Sequence, residues 1–144
     1  MGHHLRIPDP QHSIGSLMTP YPVVIDLDTP LEEVAEQLAQ NDITGAPVVD
    51  HHGRLVGVIS QTDLVRTIAA AMTDGRGWRG FTARHVMSRQ PVTARADMSL
   101  VDAVRRLEHH GVHRLVIVGD DGLTPIGIVS TSDLLPLLID VADI

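Results

Sequence analysis

Apolar positions along this chain switch between two spacings, and the switches mark its elements. Leu31, Val34, Ala35 and Leu38 recur at three- and four-residue steps, the stripe of a helix that buries one face. Thr29-Pro30-Leu31-Glu32 stands before it, a capping-box pattern with proline at the first helical position. A helix is predicted from there to about Gln40. Pro47-Val48-Val49 and Leu55 to Ile59 are short apolar, β-branched runs that fit strands. Asp50-His51-His52-Gly53-Arg54 lies between them as a hairpin loop. A short strand over Val23 to Ile25 precedes the helix. After Ile59 the apolar run stops in Ser60-Gln61-Thr62-Asp63, where Ser60 caps a helix reaching about Met72.

The same order then returns. Val92 to Ala94 reads as a strand, and Ser99 caps a helix through His110 with Val101, Val104 and Leu107 inward. Arg114 to Val118 and Ile126 to Val129 form a hairpin, and Pro136 interrupts the last helix. Displaced by 69 positions, the chain overlays on itself: Leu17-Met18-Thr19 on Val86-Met87-Ser88, Pro22-Val23 on Pro91-Val92, Asp28 on Asp97, Gly53 on Gly122. One extra residue in the second hairpin then makes the displacement 70, and Gly57, Ser60, Thr62 and Asp63 meet Gly127, Ser130, Ser132 and Asp133. Duplication on this scale decides the fold. The class it predicts is α/β (α+β), as two β-α-β-β-α repeats. Residues 1–13 are a tail, 14–72 the first repeat, 73–82 a linker and 83–144 the second repeat. The linker holds Gly75, Gly77 and Gly80 with Trp78 and Phe81. Those two rings either anchor it on the core or meet a partner or ligand.

Composition narrows what such a fold can do. Of 144 residues 43% are hydrophobic but only 2% aromatic, so the core is aliphatic and stacking platforms for single-stranded nucleic acid are lacking. The formal net charge of -7 argues against nucleic acid as a partner. With no cysteine, disulfides and thiolate chemistry are excluded. No apolar run reaches the roughly 18 residues of a membrane span, and the N-terminus lacks a signal-peptide core, so a cytoplasmic protein is expected. His51-His52 and His109-His110 are adjacent pairs. Helical neighbours point about 100° apart, which does not converge on a metal, and His51-His52 is expected to be solvated. No nucleophile elbow, P-loop or His-Glu-x-x-His motif is present, so no enzyme activity is expected.

The two strand ends carry the candidate chemistry. A helix N-terminus following a strand presents free N–H groups and the positive end of the helix dipole, which suits an anion. A hydroxyl at Ser60 or Ser130 can cap the helix or bond a phosphate. A carboxylate at Asp63 or Asp133 can accept from a vicinal diol. Together they suit a ribose phosphate, although Ser-x-x-Asp is equally an ordinary helix cap.

Gly57-x-x-Ser60-x-x-Asp63 and Gly127-x-x-Ser130-x-x-Asp133, each after an apolar strand, resemble the signature of cystathionine β-synthase (CBS) domains, which occur as tandem pairs called Bateman modules. The likeness covers about residues 14 to 141. Val112 to Val118 with Gly127 to Asp133 is similar to a nucleotide-binding repeat in the γ subunit of AMP-activated kinase. The resemblance implies repeats packed about a pseudo-two-fold, with two clefts that take an adenosyl ligand. One site would use Ser130, Ser132, Asp133, His113 and Arg114 with Tyr21, Pro22, Val23 and Val24. The other would use Ser60, Thr62 and Asp63 with Thr44, Gly45, Ala46 and Pro47, and Pro91, Val92 and Thr93. His113-Arg114 offers cations to phosphate at the first, while Thr44-Gly45 offers none at the second. His113 also fits a structural role. AMP, ADP or ATP is therefore expected as a regulatory ligand at the Asp133 site, and adenosine, an S-adenosylmethionine-like ligand or nothing at the Asp63 site. The family likeness also implies a homodimer and an effector protein that reads a conformational shift. The rival reading is a dimerisation or scaffold module with vestigial sites.

Overall fold

A computed structural model describes residues 11–75 and 77–134. After a 3-10 turn at Ile14–Ser16, the elements are β1 (Thr19–Pro20), β2 (Ile25–Asp26), α1 (Leu31–Gln40), β3 (Gly45–Val49), β4 (Leu55–Ser60), α2 (Gln61–Asp74), α3 (Ala83–Val86), β5 (Thr93–Arg95), α4 (Leu100–His110), β6 (Arg114–Val118) and β7 (Pro125–Ser130). The final helix expected around Pro136 lies outside the described residues. The chain divides into two compact units, and the division does not follow the repeats. One unit is Pro22–Pro91; the other joins the described residues up to Tyr21 with those from Val92 onward.

In the Pro22–Pro91 unit the sheet order is β2-β3-β4. β2 runs parallel to β3 from Ile25 opposite Val48, so the expected strand at Val23 starts two residues late. β3 and β4 are antiparallel, from Gly45 opposite Ser60 to Val49 opposite Leu55. Ile25, Leu31, Val34, Leu38, Val48, Ile59, Leu64 and Ala83 are buried together, with Trp78, Val86 and Met87 against them. Trp78 is thus a core anchor of the linker. The predicted Thr29 capping box does not start α1. Pro30 is its N-cap and no side chain caps it. Instead the Leu31 N–H donates to the Phe81 carbonyl (3.2 Å) and the Thr29 carbonyl accepts from the Ala83 N–H (2.9 Å). A helix end needs acceptors for its first N–H groups, and here a later segment supplies one. α2 outruns its predicted end and stops at Gly75, whose φ of 70° is left-handed.

In the other unit the sheet order is β1-β7-β6-β5. β1 pairs antiparallel with β7, Thr19 opposite Ile128, and β5 runs parallel to β6. The core is Ile14, Ala94, Ala103, Leu107, Leu115, Ile117 and Val129. α4 buries Leu100, Ala103 and Leu107, not the predicted Val101 and Val104; Val104 is 36% exposed. Both stripes share Leu107 and differ by a small rotation. The small Ala103 on the inner face admits close approach of the sheet.

The stretches that open each repeat make matching contacts. Ile14 and Gly15 donate their N–H groups to the Met98 and Ala96 carbonyls, and Leu100 donates to His12. Displaced by 69, Ala83 and Arg84 donate to Thr29 and Leu27, and Leu31 to Phe81. Where β1 lies on β7, Ser88 exchanges two hydrogen bonds with Val58 on β4. So residues 12–20 complete the unit built on the second repeat, and residues 81–88 complete the unit built on the first.

Candidate functional site

β4 and β7 each end in a serine that caps the helical turn after it. Ser60 donates its N–H (3.0 Å) and its hydroxyl (2.8 Å) to Asp63 Oδ2, and its Oγ accepts the Asp63 N–H (3.2 Å). Ser130 repeats this with Asp133 at 2.8, 3.0 and 3.3 Å. The first helical N–H is taken as well: Gln61 donates to the Thr44 carbonyl (2.8 Å) and Thr131 to that of His113 (2.9 Å). Of the first three helical N–H groups in each copy, these bonds take the first and the third, not the middle one on Thr62 or Ser132.

These bonds sort the candidate residues. The Ser60 and Ser130 hydroxyls serve the cap, so a phosphate would have to compete for them. Thr62 and Ser132 are exposed. Ser132 Oγ lies 2.7 Å from Ser130 Oγ; because Ser130 gives its hydrogen to Asp133, Ser132 is the donor. Each aspartate spends Oδ2 on the cap, which makes Oδ1 the oxygen a ribose diol would meet. Both carboxylates are half-buried.

The strands opposite the caps differ. β6 places Arg114 directly across from Ser130, whereas β3 places Gly45 across from Ser60. Cross-strand partners hold their Cβ atoms about 5 Å apart, so one cap has a guanidinium stem beside it and the other has bare backbone. Arg114 is half-buried and His113 exposed. Ala46 and Pro47 are buried within β3, while Thr44 is exposed. Tyr21 belongs to the same unit as Asp133, but Pro22, Val23 and Val24 belong to the other; Pro91 shares a unit with Asp63, whereas Val92 and Thr93 do not. Tyr21 is 94% exposed, with a φ of 52°. A left-handed backbone is uncommon for a bulky residue.

Three features escaped the sequence reading. Arg106 on α4 donates from Nη1 to the Thr93 carbonyl at 3.0 Å; thirteen residues apart, the two show no spacing signal. Gly57 and Gly127 are required by packing. A Cβ on Gly57 would stand 2.6 Å from Met87 Sδ, and one on Gly127 would meet the Met18 side chain. His51 is exposed, as expected, and also bridges two acids: Nδ1 lies 3.3 Å from Asp26 and Nε2 3.1 Å from Asp28. Arg84 Nε also reaches Asp28, at 2.9 Å. Asp26, Asp28 and His51 are metal-ligand types within 4.8 Å of one another. Each ring nitrogen faces a different carboxylate. At the positions that match Asp26 and His51 in the second repeat, Arg95 and Asp120 form an ion pair at 2.6 Å.

No helix among the described residues is long and apolar enough to cross a membrane. The CBS domain profile matches residues 14–70 and 83–140. The uncharacterized protein MJ1426 of Methanocaldococcus jannaschii is 31% identical over 146 residues, covering 82% of this chain and 86% of that one. The chain spans only 16% and 23% of two longer curated relatives that it also matches. The structure of CBSX2 of Arabidopsis thaliana in complex with AMP superposes with a TM-score of 0.76 at 28% identity, covering 91% of this chain and 98% of that one. The CBS domain pair of protein MJ0100, in complex with 5-methylthioadenosine and S-adenosyl-L-methionine, gives 0.75 at 24% identity over 88% and 99%. The duplicated Gly-x-x-Ser-x-x-Asp strand ends and the family profile agree: this chain belongs to the CBS-domain family, as a tandem pair.

Proposed function

We propose that this chain is a regulatory module that binds adenine nucleotides and passes their presence to a partner protein through a shift in conformation. The observation that carries the reading is Arg114 standing opposite Ser130, beside a cap whose Asp133 keeps one carboxylate oxygen for a ribose. Ser132 would exchange its bond to Ser130 for one to phosphate, and its N–H would add a second. Arg114 and His113 would balance the anion, since charge-assisted bonds to phosphate are about twice as strong as neutral ones. Tyr21, which belongs to the same unit as Asp133, would lie against the base. The AMP bound to CBSX2 supports an adenosyl ligand here. A ligand moves a conformational equilibrium only through unequal affinity for its two states. A homodimer is the assembly proposed to carry that signal.

The test is thermal stabilisation of the full chain by millimolar AMP, ADP, ATP or S-adenosylmethionine. A ligand at about 100 times its Kd adds roughly 2.7 kcal/mol, a clear rise in Tm. Asp133→Ala should remove the rise given by the phosphate-bearing ligand. If no adenosyl compound shifts the wild type, the scaffold reading with vestigial sites replaces this one.

A further inference from the structure

We infer that His51 is a pH-sensitive latch: protonated, it ties the tip of the first hairpin to the turn between β2 and α1, and it lets go as the pH rises. Its ring stands between two carboxylates, with Nδ1 3.3 Å from Asp26 Oδ2 and Nε2 3.1 Å from Asp28 Oδ2. The other oxygen of each acid is engaged elsewhere. Asp26 Oδ1 accepts the Asp28 N–H at 2.8 Å, and Asp28 Oδ1 accepts from Arg84 Nε at 2.9 Å. Only an imidazolium carries a hydrogen on both nitrogens. A neutral ring has one, and its second nitrogen would turn a lone pair toward a carboxylate. Both contacts therefore hold only while the ring is protonated. The hairpin presents the ring through bonds of its own: Asp50 Oδ1 accepts the N–H groups of His52 and Arg54 at 2.8 and 3.0 Å, and the Asp50 carbonyl accepts that of Gly53 at 3.0 Å. The charged and titratable groups around the ring are Asp26 and Asp28, Arg84 on α3, and Asp50, His52 and Arg54 of the hairpin itself, where Arg54 pairs with Asp50 at 3.0 Å. His85, the histidine of α3, is turned back to the Thr82 N–H at 2.9 Å. The second repeat makes the same connection with a cation that does not titrate. Displaced by 69, Asp26 becomes Arg95 and His51 becomes Asp120. These two pair at 2.6 Å, and a guanidinium is always charged. An acid and a base thus join strand end to hairpin in both repeats, and only the first uses a base of the type that titrates between about pH 5 and 8. A tie made by the protonated form is complete on the acid side of that range and is lost as the pH rises through it.

Amide exchange of the full chain tests this, followed by NMR in the presence of a chelator at about pH 5.5 and about pH 8, either side of the histidine range, and corrected for the intrinsic rate. The Leu27 N–H donates to the Val49 carbonyl at 3.0 Å and so spans the two segments that the latch joins. Its protection should fall about threefold from the lower pH to the higher, the scale of an exposed ion pair. The Gly119 N–H, bonded to the Thr124 carbonyl in the second hairpin, should keep its protection. His51→Gln and Asp26→Asn should each show the lower Leu27 value at both pH values, and an unchanged circular dichroism spectrum confirms that they fold. Equal protection of Leu27 at both pH values in the wild type would overturn the latch, as would a pH dependence that persists in His51→Gln. A fall of the same size at Gly119 would make the change global and overturn it too. Wild-type protection that is flat with the chelator and rises with added Zn2+ would make Asp26, Asp28 and His51 a metal site instead.

Discussion

Met87 lies so close over Gly57 that a Cβ on the glycine would stand 2.6 Å from its sulfur, and the Ser88 carbonyl oxygen would be equally near. At the duplicated position, the three atoms nearest a Cβ on Gly127 would all belong to the Met18 side chain. Overpacking of this kind costs about 1–3 kcal/mol, so Gly57→Ala and Gly127→Ala should each lower stability by about 2 kcal/mol in urea denaturation. Shortening the methionine separates the two sites. Met18→Ala should recover most of the loss from Gly127→Ala, because it removes the two nearest obstacles, the Met18 sulfur and Cγ. Met87→Ala should not do the same for Gly57→Ala, because backbone remains in the way. Equal rescue in both cycles would contradict the packing described.

That contrast shows what was legible in the sequence. Helices α1, α2 and α4, the hairpins and the two Ser/Asp strand ends could be read because each is set by local periodicity or by a cap within four residues, whereas the short α3 left no such mark. The glycines of the motif were legible as positions but not as causes, since what demands them lies 30 residues away for Gly57 and 109 for Gly127. Leu17-Met18-Thr19 and Val86-Met87-Ser88 carry no strand periodicity, so their docking onto β7 and β4 left no local mark. The bonds from Leu31 to Phe81 and from Arg106 to Thr93 were hidden for the same reason. The N-terminus of α1 looked self-capped because Thr29 and Pro30 fit the pattern, but a later backbone carbonyl took the part.

Helix ends offer a cleaner comparison between the repeats. Asp42 follows α1 with a φ of 53°, and Gly111 follows α4 with a φ of 63°. They occupy the same place in the duplication. A left-handed backbone costs a side chain roughly 1 kcal/mol that glycine avoids, and a carboxylate is unfavourable at the negative end of a helix. Asp42→Gly should therefore raise stability by about 1 kcal/mol, and Gly111→Asp should lower it by a similar amount. Thermal denaturation of the two single variants would decide it, and a destabilised Asp42→Gly would refute the argument.

The second hairpin should be sensitive to acid. The Asp121 carboxylate accepts the Thr124 hydroxyl and the N–H groups of Leu123 and Thr124. These bonds, the hydroxyl foremost, pull its pKa down from the ordinary 3.8 to about 2. A carboxyl that holds its proton less tightly when folded stabilises the fold above the ordinary value, and that contribution is lost as pH falls toward about 2. Carbon-detected NMR of the carboxyl should place the Asp121 midpoint near 2, and Thr124→Val should move it upward. Amide protection at Leu123 and Thr124 should fade over the same range. An Asp121 that titrates at the ordinary carboxylate pH in the wild type would rule this out.

The exchange of opening segments dictates where the chain can be cut. Residues 22–91 form a contiguous stretch with a sheet, two long helices and one core. The first repeat as the sequence delimits it, residues 14–72, has nearly the same length but lacks the segment from Trp78 to Ser88. It would lose the Phe81 carbonyl that receives the Leu31 N–H, the fully buried Ala83, the tie from Arg84 to Asp28, and the cover that Trp78, Val86 and Met87 give the core. Burying one large apolar side chain contributes about 1.5–3 kcal/mol, whereas a domain of this size has only a few kcal/mol of net stability. Trp78, Val86 and Met87 are half-buried, so each contributes part of that full-burial value; with the buried Ala83 and the helix-end acceptor also gone, the loss is comparable to that margin, and nothing gained from residues 14–21 offsets it, because Ile14 belongs to the other core. A polypeptide of residues 22–91 should therefore melt cooperatively by far-UV circular dichroism, and one of residues 14–72 should show no transition. A cooperative transition in the shorter repeat would mean that the segment docked on each unit is dispensable for its fold.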